Sequence, residues 1–248
     1  METYAPLNNL INTNVQQELF GKSPSLQVNF ICDNLKTYMA KGLLPVHSKL
    51  NIQVLKKKYS VSTGVIQTAV ANLIDSRYAY KVSKGIFVAG LSLDELREIL
   101  NLRLILEREG INVAFENGDD DWECNIIKVC HSISKLEKKI LSDGHECDAQ
   151  LLKEWSFLYK DFHLRLFLTP NLDISVSLIE TLYNQCEKYF LSSLLRHEIT
   201  LKDISGHHND LKNAVLTRNS EEAFLIISNH VDKIYKNLEN FIHLRFLN

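Results

Sequence analysis

From position 26 onward, apolar residues recur at the three- and four-residue spacing that gathers them on one face of an α-helix. Leu26, Phe30, Ile31, Leu35, Tyr38 and Met39 predict an amphipathic helix ending near Gly42. After the turn GLLPVHSKLN, Asn51 is placed to cap a short helix, IQVLKKKY. SVS then leads into a third helix, from Ser62 to about Ser76, with Val61, Val65, Ala69 and Leu73 as its apolar row. Beyond it the pattern shortens. YAYKV and IFVAG are β-prone runs joined by Ser83-Lys84-Gly85, a hairpin signal with Gly85 where a positive φ is wanted. Three helices followed by a two-stranded wing predict a winged helix-turn-helix over residues 26–90.

The remainder keeps the helical period throughout. Ser92 and Glu95 form a capping box, and Leu96, Ile99, Leu100, Leu102, Leu106 and Val113 repeat behind it. Further amphipathic segments are expected at 121–142, 148–168, 172–197, 200–217 and 220–246, separated by NGDDD, SDGHE, TPN and TRNS. No alternating pattern competes, so residues 91–248 read as an all-α bundle. The fold class is mainly α: an N-terminal winged helix-turn-helix and a C-terminal helical bundle. Residues 1–25, with apolar Leu7, Leu10, Ile11 and Phe20, are left as an N-terminal arm.

Composition adds a contrast between the two parts. The region Leu26–Gly90 holds nine Lys and Arg against two acidic residues, Asp33 and Asp75, whereas residues 91–248 hold 18 basic and 26 acidic residues. That split fits one module that binds a polyanion and a second with another task; a solvated basic face is the plainer alternative. The hydrophobic fraction of 45% supports a substantial core. No run reaches the ~18 apolar residues of a membrane span, and the first residues lack the plan of a secretory signal. The five cysteines, 32, 124, 130, 147 and 186, show no CxxC spacing and read as reduced thiols in a cytoplasmic protein.

Three predicted helices each carry a histidine on the apolar face. His163 follows Leu152, Ser156 and Tyr159 at helical spacing; His208 lies between Ile204 and Leu211; His230 lies between Ile226 and Ile234. One such histidine is usually a satisfied core residue. Three on separate helices are also the donor set of a transition-metal site, although spacing alone does not bring them together.

The stretch GLLPVHSKLNIQVLKKKYSVSTGVIQTAVANLIDSRYAYKVSKGIFVAG resembles the DNA-binding domain of the GntR family of bacterial transcriptional regulators. It keeps Gly42, Leu44, Leu50, Val61, Ser62, Val65 or its neighbour Ile66, Ala69, Leu73, Gly85, Phe87 and Val88 of that pattern. It departs where the family touches DNA: Thr63 and Gln67 stand in place of arginines, Gly64 in place of a proline, and His47 in place of the turn glycine. No Lys or Arg occurs between 61 and 76. Gln67 can still pair with an adenine edge, and Thr63 with a thymine methyl or a phosphate. Ser62 and Gly85 belong to the same surface. Lys49, Lys56, Lys57, Lys58, Arg77, Lys81 and Lys84 are the expected phosphate contacts.

LDELREILNLRLILEREGINVA, YKDFHLRLF and HHNDLKNAVLTRNSEEAFLIISNHV resemble segments of the FCD effector domain, found in the FadR-type branch of the same regulators. The resemblance implies a metal site of one Asp and three histidines, here His163, His208 and His230. Tyr159 takes the place of the acid, so zinc or nickel would be held by imidazoles with water, effector or phenolate completing the shell. Asp161 lies two residues from His163 and so on another helix face. Arg103 aligns with an arginine that receives an effector carboxylate, a task suited to its two-pronged guanidinium. An ordinary pairing with Glu107 one turn on is the alternative. The expectation is a homodimeric regulator that binds a two-fold DNA operator and responds to a small carboxylic acid. Two other classes stay open: a metalloenzyme on the histidines, which lacks an evident general base, and a metal-binding helical interaction protein with degenerate DNA reading.

Overall fold

The computed structural model describes residues 19, 21–142, 148–170, 172–196 and 200–246, and divides into two compact units, Met1–Gly90 and Leu91–Asn248. The N-terminal arm expected at 1–25 lies largely outside the described residues. In the first unit, α1 (Pro24–Ala40), α2 (Ile52–Tyr59) and α3 (Thr63–Asp75) precede the antiparallel hairpin β1 (Ala79–Val82) and β2 (Gly85–Val88). Their apolar rows meet in one core that includes Ile31, Leu35, Leu55, Tyr59, Ile66, Ala69 and Leu73. The starts of α2 and α3 have a local cause. Asn51 Oδ1 accepts from the amides of Gln53 and Val54, and Ser62 Oγ accepts from that of Val65.

The turn before α2 is strapped to the wing. His47 N donates to the carbonyl of Val88, Val88 N to that of Ser48, and Leu50 N to that of Ile86. His47 adopts φ 64°, the left-handed region where the resembling family has glycine, and its Nδ1 lies 3.0 Å from the Tyr80 hydroxyl. Gly85 adopts φ 135° beside Lys49, whose Cε would lie 2.9 Å from an added Cβ. The positive φ is what requires the glycine, since the end of the lysine side chain can move aside. With the hairpin behind them, α2 and α3 complete a winged helix-turn-helix.

The second unit is all-helical among the described residues: α4 (Leu93–Asn117), α5 (Asp120–Ser142), α6 (Ala149–Arg165), α7 (Asp173–Leu195), α8 (Leu201–Ile204), α9 (His208–Leu216) and α10 (Ser220–Phe246). Helix α4 packs on α7 and α10, α6 on α5 and α7, and α9 on α5 and α10. Two sequence expectations change here. The continuous helix over 200–217 is broken between Ile204 and His208, where Gly206 takes φ 103°. The buried stripe of α4 runs through Leu96, Ile99, Leu100, Arg103, Glu107, Ile111 and Ala114, leaving Leu102 exposed. No helix among the described residues is long and apolar enough to cross a membrane.

The start of α4 is held by α7. Ser92 Oγ caps the helix by accepting from Glu95 N at 3.3 Å. The Tyr189 hydroxyl bridges the Ser92 carbonyl (2.9 Å) and Glu95 Oε2 (2.6 Å), and buried Lys188 pairs with the same carboxylate. Such charge-assisted bonds, shielded from water, are stronger than their surface equivalents.

Candidate functional site

Polar side chains fill the interior of the bundle where apolar ones would be expected. Arg103 and Glu107, one turn apart on α4, are both completely buried, with Nε 3.1 Å from Glu107 Oε1. Nη2 donates to the Tyr183 hydroxyl from α7, and the guanidinium carbon lies 3.7 Å from the centre of that ring. Nη1 and Glu107 Oε2 are buried without a hydrogen-bond partner. An unpaired donor on a buried guanidinium is costly, by about 1–3 kcal/mol or more for a charged group. Burial opposes the charge on Arg103, but Glu107 and the nearby phenols outweigh it and hold its pKa well above the ordinary value. The pairing with Glu107 considered from sequence exists, in the core rather than on the surface.

Next to the arginine stand four histidines and Tyr159. Helix α6 supplies Tyr159 and His163, α10 supplies His230, and the segment entering α9 supplies His207 and His208. The Tyr159 hydroxyl lies 2.7 Å from His230 Nε2, and His163 Nε2 lies 3.0 Å from His207 Nε2. The rings of His207 and His230 stack with centres 3.4 Å apart. One nitrogen from each of His163, His207 and His230 falls within 4.8 Å of the other two. His208 is buried too, its ring 4.1 Å from that of the half-buried His207, but its nitrogens lie outside that group. Its ring meets Phe162 edge-on at 4.9 Å, and its Nδ1 lies 3.5 Å from Glu137 Oε1 on α5. The set expected from sequence named His208 as the third ligand; the nitrogens that meet are those of His163, His230 and its neighbour His207. Successive helix positions diverge by about 100°, so two adjacent residues do not face the same point.

Burial pushes all four imidazoles toward the neutral form. His163, His207 and His230 lie well below the usual histidine range, desolvation first and neighbouring imidazoles and Arg103 second; His208 is brought down to about 3 by burial. Neutral imidazole keeps a lone pair free to accept a proton or a metal ion. Burial raises the phenols of Tyr159 and Tyr183 against the opposing influence of Arg103, so both keep their protons. Cys186, fully buried on α7, shares the contact with Arg103 and is also raised by burial. Asp161 is outside the cluster and pairs with Arg165 at 2.9 Å. His207 and Tyr183 complete the site without having been singled out from sequence; the His-His doublet after Gly206 was the one available signal.

The DNA-facing candidates are all in the first unit. On α3, Gly64, Gln67, Thr68, Ala71 and Asn72 are exposed, Thr63 is half-buried in the first turn, and Ser62 serves as the cap. Lys56 and Lys57 project from α2 with Lys58 partly covered; Lys81 and Lys84 are exposed on the wing, Arg77 just before it, and Lys49 against Gly85.

A family model described as the FCD domain matches residues 98–233, a span that contains Arg103, Tyr159 and all four clustered histidines. The HTH-type transcriptional regulator BphR of Paraburkholderia xenovorans is 26% identical over 212 residues, covering 85% of this chain and 84% of BphR. The HTH-type transcriptional repressor GlaR of Escherichia coli is 27% identical over 203 residues, covering 79% of this chain and 89% of GlaR. Among solved structures, E. coli McbR/YncC superposes with a TM-score of 0.65 at 18% identity, over 89% of this chain and 99% of that one. At that identity the likeness is one of fold.

Proposed function

This chain belongs to the FCD-domain family of GntR-type transcriptional regulators, and from that premise we propose that a small carboxylate held at Arg103 sets its affinity for a two-fold DNA operator. The observation that carries the proposal is the buried guanidinium with Nη1 unpaired beside neutral imidazoles and phenols. A carboxylate there gains a charge-assisted bond from Nη1 and further donors from the Tyr159 hydroxyl and the histidine N–H groups. Glu107 already balances one positive charge and fixes the fork through Nε, which leaves the free edge oriented for a ligand.

In this reading the protein acts as a homodimer, whose paired α3 helices enter successive major grooves. Gln67 and Thr63 read bases, while Lys49, Lys56, Lys57, Lys58, Arg77, Lys81 and Lys84 hold phosphates. The donor chemistry of the histidine cluster also fits a divalent transition metal, zinc or nickel, because the clustered imidazoles are neutral at pH 7 and come from different helices. His163 and His230 would hold it with a third imidazole from the start of α9. The ion would supply a fixed positive charge near the carboxylate, and Arg103 orients the acid.

Retardation of the DNA flanking its own gene, with and without a panel of carboxylic acids, tests this. An active acid is expected to shift the binding midpoint by about 5- to 150-fold, the usual span of allosteric coupling. Arg103→Lys keeps a charge opposite Glu107 but loses the fork, and Arg103→Gln with Glu107→Gln removes both charges together. Both should bind DNA like the parent and ignore the acid. A full response in both variants would remove Arg103 from the effector site.

A further inference from the structure

The geometry points to His207, not His208, as the third metal-binding imidazole, which gives this chain an all-imidazole site in which a residue from the turn before α9 completes the set. The inference rests on the reading of the bundle as a metal site and concerns which residues make it. His163 Nε2 and His207 Nε2 face each other at 3.0 Å. Two neutral imidazoles so arranged must share a single proton, and each keeps its Nδ1 buried and unpartnered. In a tetrahedral site with Zn–N bonds of about 2.0–2.1 Å, ligand nitrogens lie roughly 3.3 Å apart. With the shared proton moved to the donor ring's own Nδ1, placing the ion between the two nitrogens asks this pair to open by only about 0.3 Å. His230, stacked 3.4 Å from His207, brings its nitrogen within the same 4.8 Å group.

His208 lacks that convergence. It is the first residue of α9, it points toward α5, and its nearest charged neighbour is the Glu137 carboxylate at 3.5 Å. Burial raises the Glu137 carboxyl, and its Oε1 also accepts from Trp155 Nε1 at 3.0 Å. His208 packs between Phe162 and Glu137 with its ring 4.1 Å from that of His207; both its nitrogens are buried without a hydrogen-bond partner, but neither falls in the group formed by His163, His207 and His230. Gly206 at φ 103° precedes His207, which stands at the N-cap of α9 with helical φ −84° and ψ −15°, so the two histidines leave the helix start about 100° apart. With three neutral nitrogen donors and no carboxylate among them, the site favours zinc, nickel or cobalt over magnesium or calcium.

The test is titration of the untagged, full-length apoprotein with Co²⁺ alone, followed by displacement with Zn²⁺. The parent should bind one Co²⁺ with the intense visible absorption of a four-coordinate ion. His207→Ala should lose that absorption and weaken binding by more than the ~10- to 100-fold that loss of a supporting neighbour costs. His208→Ala should keep both. His207→Cys should retain binding and add a sulfur-to-cobalt charge-transfer absorption, which packing alone does not produce; circular dichroism establishes that each variant is folded. Loss of the ion in His208→Ala with retention in His207→Ala overturns the assignment. So does a folded His207→Cys protein that binds cobalt without the sulfur absorption. A parent protein that takes up neither ion fails differently, overturning the metal reading and this assignment with it.

Discussion

At Gly206 the backbone takes φ 103°, a conformation that L-residues rarely adopt, although an added Cβ would meet nothing within 4 Å. The need for glycine is therefore conformational and not spatial. Gly206→Ala is expected to cost about 1–3 kcal/mol, measured as the fall in urea-unfolding free energy. Relief of that strain would rotate the His207–His208 pair, so the same variant should also lose cobalt affinity. Unchanged stability would show that the turn tolerates a side chain. Arg103 illustrates the limit of local reading at this scale. Its i+4 relation to Glu107 is plain in the sequence, yet the same two letters describe a surface pair worth a few tenths of a kcal/mol and a buried one whose disruption costs several. Which applies depends on Tyr183 and Cys186, 80 or more positions away along the chain.

Among elements, α2 carries Lys56, Lys57 and Lys58 in its last turn, where cations also suit the helix dipole. Replacing all three by alanine should lower affinity for every DNA sequence alike. It should also flatten the slope of log K against log salt by about 0.9 for each phosphate no longer neutralised. Gln67→Ala should leave that slope alone and relax base preference. A sequence-selective effect of the triple variant would place these lysines elsewhere. The elements themselves were legible because burial imposes a period: the three helices and hairpin of the first unit, and α4, α5, α6, α7 and α10 of the second, follow their apolar rows. The break at Ser205–His207 was not, since Ile204, His208 and Leu211 keep helical phase across a turn that one glycine interrupts. The membership of the histidine cluster was not legible either. Periodicity reports which side of a helix is buried, but not which buried side chains of different helices meet.

For the molecule as a whole, four histidines that the fold keeps neutral make stability depend on pH. In the unfolded chain each protonates near its ordinary pKa of about 6.5, whereas in the fold His163, His207, His208 and His230 resist protonation. Below that pH the unfolded state binds more protons, so stability is complete above about pH 6.5 and is lost as pH falls beneath it. Each histidine adds a slope approaching ~1.4 kcal/mol per pH unit, continuing for His208 toward its folded value of about 3. Glu137, whose carboxyl is raised by burial, works in the opposite sense and trims the effect. Urea midpoints measured in chelator between pH 5 and 7.5 should fall steeply on the acid side, and a flat profile would contradict the neutral cluster.

Helix α7 grips α4 in two places. Tyr183 holds Arg103 in the interior, and six residues further on Tyr189 holds Ser92 and Glu95 at the first turn. Six helical residues span about 9 Å, a length over which an α-helix is effectively stiff. Both contacts therefore belong to one stiff segment, which ties the buried guanidinium and the cap of α4 to the same helix. Ser92 lies two residues past Gly90, where the first unit ends. An acid bound at Arg103, as proposed above, would therefore act on the same helix that holds Ser92 and Glu95 of the second unit.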